Sequence, residues 1–207
     1  VKIPLNLFPA EEYDLDPSNI KQLLIQTFAE GEIEIQSIQL VPFAGKLKKE
    51  VVANKSTIKL DGSLSDWKEP FTSINSEQKF AVSYTEDKIY FAFKVKDETP
   101  RQNSKTAALL WDGDAIEVAF STNPKASEKR KFLMLSDQHF GINCGETPYV
   151  WNFKTNEVVT DAELAFGKIE GGYNVEFAVP SKLFKNFIPN KGIDLDMEVA
   201  VDLGAAE

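Results

Sequence analysis

The side chains best placed for chemistry stand near residue 115. Trp111 comes just before a strand-like alternation whose apolar residues share one face: Ile116, Val118 and Phe120. Because successive strand residues point to opposite faces, Glu117 lies on the other face, where Ala115 and Ala119 leave a shallow space beside it. An indole next to an outward carboxylate suits a ligand with a flat apolar surface and a rim of hydroxyls. In the plainer interpretation Trp111 closes the core and Glu117 is merely solvated.

Three other aromatic residues stand out. Trp151, with Tyr149 two residues earlier, is the best candidate for a second aromatic surface in the same site, and loop packing is the alternative. Trp67 follows the pattern Asp-Gly-x-x-x-Asp, and we interpret it as structural, anchoring the first strand to a hairpin.

Aspartates cluster at predicted turns, where their oxygens could hold calcium. The full set is Asp61, Asp66, Asp97, Asp112 and Asp114. Asp61, Asp112 and Asp114 are the candidate ligands for a structural calcium ion. Their spacing matches no known calcium loop, and aspartates that bond their own backbone in turns are the alternative.

Catalysis is not favoured by the pattern of polar residues. A glycosidase needs two carboxylates across a cleft, whereas Asp114 and Glu117 are three apart on a strand and face opposite ways. The single histidine, His139, cannot supply a Ser-His-Asp system or a zinc cluster, and we interpret residues 137–139 as a turn. We therefore expect no enzyme activity from the chain itself.

Composition narrows the class of protein further. The chain has 207 residues and a formal net charge of -9, so nucleic acid is an unsuitable partner. Its longest apolar runs, such as 89–93, fall far below the roughly 20 residues of a membrane span, so no membrane insertion is expected. One cysteine, Cys144, cannot form an internal disulfide. The abrupt start at Val1 suggests a mature or excised segment.

Alternation with a period of two dominates the chain and predicts strands. Residues 80–84 and 89–96 form a predicted hairpin, and Gly171-Gly172 supplies a turn before the strand 173–179. Pro180 ends that strand, and a helical turn capped by Ser181 follows. Many short strands between turn signals predict an all-β fold, an antiparallel β-sandwich of jelly-roll or immunoglobulin-like type.

The organisation predicts two parts. A composition shift at 43–55 looks like a joint, so residues 1–44 form an N-terminal β segment, either the end of a preceding module or accessory strands. Within it we predict a strand over 19–28 and a bulge near residues 36–37. Residues 50–207 form the main sandwich.

Several motifs in order carry a resemblance to a family: 58–62 (IKLDG), 66–67 (DW), 90–97 (YFAFKVKD), 110–118 (LWDGDAIEV) and 171–176 (GGYNVE). Over about residues 55–203 the chain resembles family 9 carbohydrate-binding modules and their DOMON-like relatives. The resemblance implies a sandwich that binds ends of plant polysaccharide chains or small sugars, attached to a glycoside hydrolase or surface protein of a secreted, bacterial kind. It also implies structural calcium.

In that family, a tryptophan forms half of an aromatic clamp and a strand glutamate binds sugar hydroxyls; Trp111 and Glu117 match these positions. The chain departs from the family at two places. The basic and amide sugar ligands of the next strand fall near 132–135, where apolar residues stand, and the second clamp tryptophan lies beyond Glu207. Residues 20–42 are similar to the closing strands of another carbohydrate-binding jelly roll.

Two other classes stay open. A haem-binding electron-transfer domain of DOMON type needs axial ligands, and only Met134, Met197 and His139 are candidates. Met134, in a predicted strand, and Met197 are better interpreted as core residues. A structural spacer without a ligand is the third possibility.

Overall fold

The computed structural model describes residues 50–123, 125–126, 132–184 and 187–204, all within the compact unit Glu50–Glu207. The strands are β1 (Asn54–Lys55), β2 (Thr72–Ser73), β3 (Lys79–Tyr84), β4 (Lys88–Lys96), β5 (Ala115–Ser121), β6 (Asp137–Asn143), β7 (Val150–Asn152), β8 (Glu157–Val158), β9 (Glu163–Ile169), β10 (Gly172–Pro180) and β11 (Asp196–Asp202). Short helical turns span Leu64–Asp66, Ala107–Asp112 and Ser181–Leu183.

The strands form two sheets. The first sheet has the order β1-β3-β4-β10-β9, with β2 also paired to β3, and the second has the order β11-β5-β6-β7-β8. Neighbours are antiparallel except for the short parallel pair β1 and β3. The predicted all-β sandwich, the hairpin β3–β4 and the turn before β10 at Gly171-Gly172 are therefore confirmed.

Aromatic side chains fill the space between the sheets. On the first sheet, Phe91 stacks on Phe177 with ring centroids 4.8 Å apart, and Phe93 lies 6.2 Å from Phe177. From the second sheet, Phe120 meets Phe91 edge to face and also contacts Phe184, which follows β10. Each such ring, once buried, stabilises the fold by about 1.5–3 kcal/mol.

A smaller apolar cluster covers the outside of the first sheet. Trp67 is buried there with Tyr90 and three small or aliphatic neighbours on the sheet, which confirms its structural role. Its indole Nε1 donates to Glu176 Oε1 at 2.7 Å. The other carboxylate oxygen accepts from the backbone N–H groups of Gly62 and Asp61. Burial raises the pKa of Glu176, and these three donors act against that rise.

Three local predictions were wrong. Residues 137–139 are not a turn, because they begin β6, where Phe140 and Ile142 face the core. Met134 is not a buried strand residue: it lies before β6 and is exposed, as are its apolar neighbours in 132–135. Ser181 does not cap its helical turn, since Pro180 occupies the cap position and the Ser181 hydroxyl donates to Glu86 O.

Met197 does pack partly buried against the core, as predicted. Cys144 is fully buried at the end of β6. The predictions for residues 1–44, including the strand at 19–28 and the bulge at 36–37, lie outside the described residues.

Replacing Glu176 tests the hydrogen-bonded anchor. In Glu176→Gln, an amide N–H₂ must face a backbone N–H donor or the Trp67 indole, so one donor loses its acceptor inside the protein. We expect a loss of about 1–3 kcal/mol in the free energy of unfolding, measured by urea denaturation. The control Glu170→Gln lies in the exposed β9–β10 turn and should change stability by less than about 0.5 kcal/mol. Equal stability of the two variants would contradict this role.

Candidate functional site

The candidate site lies on the outer face of the second sheet, meaning the face turned away from the core. Strand register aligns one row across this face: Ala200, Glu117, Gly141, Trp151 and Val158. Glu117 therefore points outward, as predicted from the alternation of Ile116, Val118 and Phe120, which are buried. Trp151 lies in the same row as Glu117, separated from it by Gly141.

Gly141 makes room for the groups that cover part of this face. A Cβ atom at residue 141 would stand 2.7 Å from the Phe153 ring and 3.1 Å from Leu110 Cδ1, so no larger residue fits without displacing them. Leu110 belongs to the helical turn 107–112 and is fully buried. The turn is therefore seated on the outer face, next to the row that holds Glu117.

Trp111, the next residue in that turn, is 57 % exposed. The interpretation in which Trp111 closes the core is thus wrong, because its indole lies at the surface. An exposed indole beside a sheet face is a suitable platform for an apolar ring face.

Polar contacts fix the backbone around Trp111. The Asn103 side-chain amide donates to the carbonyls of Leu110 and Asp114, at 2.9 Å each. The Asn143 amide donates to Lys105 O at 3.1 Å. Ala107 has a φ of 51°, a left-handed conformation that is costly for alanine, and its N–H donates to the Tyr149 hydroxyl. Tyr149, predicted as a ligand-binding residue, thus supports the turn that presents Trp111.

Glu117 has a partner that sequence analysis missed. His139 Nε2 lies 2.9 Å from Glu117 Oε2, and the His139 ring packs on Phe153 with centroids 4.5 Å apart. His139 faces outward because β6 pairs it with Ala119, two residues from Glu117 on β5. The alternation of His139 with Phe140 and Ile142 was the signal that could have revealed this strand. The apolar residues 132–135 have the composition of a strand, and the strand was therefore predicted there, just before the position where β6 begins.

The space beside Glu117 was expected on both sides, next to Ala115 and next to Ala119, and the structure differs at Ala115. Ala115 is fully buried, so it does not border an open space, whereas Ala119 is partly exposed. The carboxylate is therefore approached from the Ala119 side and from solvent.

A second carboxylate shares this face and was also missed. Asp202, at the end of β11, pairs with Ala115 in the register that pairs Ala200 with Glu117. Its Oδ2 atom is buried and has no hydrogen-bond donor among the described residues. Burial, and then the nearby Glu117 carboxylate, raise the pKa of Asp202 to about 6. Burying a charged group without a hydrogen-bond partner costs free energy.

Trp151 is partly buried, and its Nε1 has no partner within the described part of the chain. It shares the outer face with Glu117, as expected for a second aromatic surface. Its contact with a ligand stays a prediction.

The candidate calcium ligands have partners in the protein. Asp61 pairs with Lys59 and accepts from Ser63 N, Asp112 pairs with Lys105, and Asp114 accepts from Gln102 N and Gly204 N. Among the residues described, no three acidic, histidine or cysteine side chains come together to hold a metal ion. Calcium binding stays a prediction without a located set of ligands.

Two of the candidate haem ligands, Met197 and His139, do not converge. Met197 faces the core of the second sheet, whereas His139 lies on its outer face. Two side chains on opposite faces of one sheet cannot bind the same iron atom.

None of the described helices is long and apolar enough to cross a membrane.

The fold and the outer face define a two-sheet binding module. Residues 45–205 match the family model described as "Carbohydrate family 9 binding domain-like". The chain belongs to this family, whose members are non-catalytic carbohydrate-binding modules. No curated protein sequence shows a significant match.

Two solved structures share the fold. A carbohydrate binding module family 9 from Caldicellulosiruptor kristjanssonii in complex with cellotriose is 16% identical, with a TM-score of 0.56, covering 75% of this chain and 77% of that one. The module of the same organism in complex with glucose is 15% identical, with a TM-score of 0.55, covering 75% and 79%. At such identities the likeness concerns the fold.

The raised pKa of Asp202 predicts a pH effect on stability. A carboxyl whose pKa rises on folding contributes stability that is present below its unfolded value, 3.8, and is lost as pH rises through about 6. Raising the pH from 4 to 7 should therefore lower the stability of the native chain relative to Asp202→Asn, which has no group to ionise there. Urea denaturation of both proteins at several pH values measures this difference. A constant difference over that range would contradict the burial of Asp202.

Proposed function

We propose that the chain binds oligosaccharides and the ends of polysaccharide chains on the outer face of the second sheet. The observation that carries the proposal is the exposed Trp111 indole, held on a fixed turn beside the face from which Glu117 points outward. A pyranose has an apolar C–H face that can stack on an indole and hydroxyls that can donate to a carboxylate.

The Glu117 carboxylate is positioned to accept a hydrogen bond from a sugar hydroxyl. His139 engages Oε2 of Glu117. A sugar hydroxyl would bind Oε1 while the histidine holds the group in place. The bound cellotriose and glucose of the two solved modules support ligands of the glucose type for this chain.

We further propose the setting in which this binding acts. The module belongs to a secreted or cell-surface protein and directs an attached glycoside hydrolase, or another module of the same chain, to polysaccharide. Residues 1–44 would then be part of a neighbouring module. Trp151 would supply a second aromatic surface, and a structural calcium ion could stabilise the turns.

Removing the indole tests the stacking surface. Trp111→Ala should weaken cellotriose binding about tenfold, since aromatic contacts of this kind contribute about 1 kcal/mol or more beyond the area they bury. Isothermal titration calorimetry measures the change. Leu109→Ala is a matched control because Leu109 is equally exposed, at 56 %, in the same turn. Unchanged affinity in folded Trp111→Ala would place the stacking surface elsewhere.

Glu117→Gln tests the polar half of the site. The amide keeps the size of the side chain but removes the charge that strengthens a hydroxyl donor, so we expect affinity for cellotriose to fall by about 1–2 kcal/mol. Glu157→Gln, exposed on the edge strand β8 of the same sheet, is the control and should bind as the native chain does. If neither the native chain nor its variants bind any sugar on a glycan array, the chain is a structural spacer.

A further inference from the structure

The outer face around Glu117 is closed on two sides. Ala115, the preceding outward residue of β5, is fully buried. On β6, the Phe153 ring and Leu110 lie over Gly141, the residue that pairs with Glu117. A ligand longer than one sugar ring must therefore extend from Glu117 in another direction.

Two small residues border the open sides of Glu117. Ala119 is its next outward neighbour on β5, and Ala200 is its partner on β11; both are partly exposed. Glu198 borders both alanines, because it pairs with Ala119 and stands two residues before Ala200 on the same face of β11. The residues on either side of Glu198 pack against the core, so its side chain points outward, where it is exposed.

The surface over Ala119 is a strip bordered by two polar side chains. β6 pairs His139 with Ala119, so Glu198 and His139 stand on opposite sides of this alanine. Neighbouring strands are about 4.8 Å apart, which puts the backbones of these two residues about 10 Å apart. An apolar floor of that width between polar walls suits a sugar ring, whose C–H groups can face the alanine methyl while its hydroxyls reach both sides.

The route over Ala200 offers a polar wall on one side only. In the part of the chain that the structure describes, β11 is the outermost strand of the second sheet, so no strand lies beyond Ala200. The strip over Ala119 has a second wall, since the His139 ring is held in place by Glu117 and Phe153. A second sugar ring therefore makes more contacts over Ala119.

We propose that Glu198 is a further ligand-binding residue that holds the second sugar ring of an oligosaccharide over Ala119. The first ring meets Trp111 and Glu117. The inference rests on the proposed function and extends the same site by one sugar ring. A hydroxyl of the second ring donates to the Glu198 carboxylate, and His139 borders the ring on the other side. The chain consequently prefers oligosaccharides to single sugars.

Glucose and cellobiose test this preference by calorimetry with the whole chain at pH 7. Cellobiose contains one glucose ring more than glucose, so the ratio of the two affinities reports the contribution of the second ring. We expect cellobiose to bind at least about tenfold more tightly, as one charge-assisted hydrogen bond and the contacts of a second ring allow. This comparison needs no variant to fold.

Glu198→Ala assigns the preference to one residue. Loss of the carboxylate should reduce the advantage of cellobiose to below about threefold, while the affinity for glucose should change by less than about twofold. Glu157→Ala is the matched control, because Glu157 is an exposed glutamate on the edge strand β8 of the same sheet, and it should keep the native preference.

Ala119→Leu tests where the second ring lies. The larger side chain fills the strip between Glu198 and His139, so the advantage of cellobiose should again fall below about threefold. Glucose, which occupies only the place of the first ring, should bind this variant as it binds the native chain, and this binding also shows that the variant is folded.

The outcomes separate the two proposals. If glucose and cellobiose bind the native chain equally well, or if the advantage of cellobiose survives in Glu198→Ala or in Ala119→Leu, the assignment of the second ring is wrong and the proposed function stands. If neither sugar binds, the proposed function fails and this inference fails with it.

Discussion

The register of β5 between its two neighbours is the constraint on which the outer face depends. Burial of Ile116, Val118 and Phe120 between the sheets fixes which residues of β5 point inward. Since side chains alternate along a strand, a slip of one residue would bring Glu117 into the core and expose the aliphatic residues, at a cost of several kcal/mol. The same pairing brings His139 of β6 and Asp202 of β11 to the side of Glu117.

The local sequence pattern was sufficient to predict the features that depend on a few consecutive residues. It predicted the β3–β4 hairpin and the outward direction of Glu117, and the pattern Asp-Gly-x-x-x-Asp before Trp67 predicted that this residue is structural. These features are decided by a few consecutive residues and by which of them avoid water. The sandwich architecture could be predicted because many strands with one apolar face each need two packed sheets to bury those faces.

The rest of the site depends on contacts between distant segments, which local pattern does not encode. Asp202 joins Glu117 only through the pairing of β11 with β5, and nothing in its own neighbourhood distinguishes it from other strand-end aspartates. The conformation of the turn before β5 rests on Asn103 and Tyr149, which lie on other segments. The position of His139 on a strand was missed because the apolar residues before β6 have the composition of a strand, although they are exposed.

The sealed thiol in the core has a practical consequence for work on this module. Cys144 is the only cysteine of the chain, it is fully buried, and burial raises the pKa of its thiol far above the usual range, so the reactive thiolate is scarce at neutral pH. Leu109→Cys would therefore give a single labelling position without first removing the native cysteine. A fluorophore attached there, two residues from the indole, would report arrival and departure of a ligand in real time.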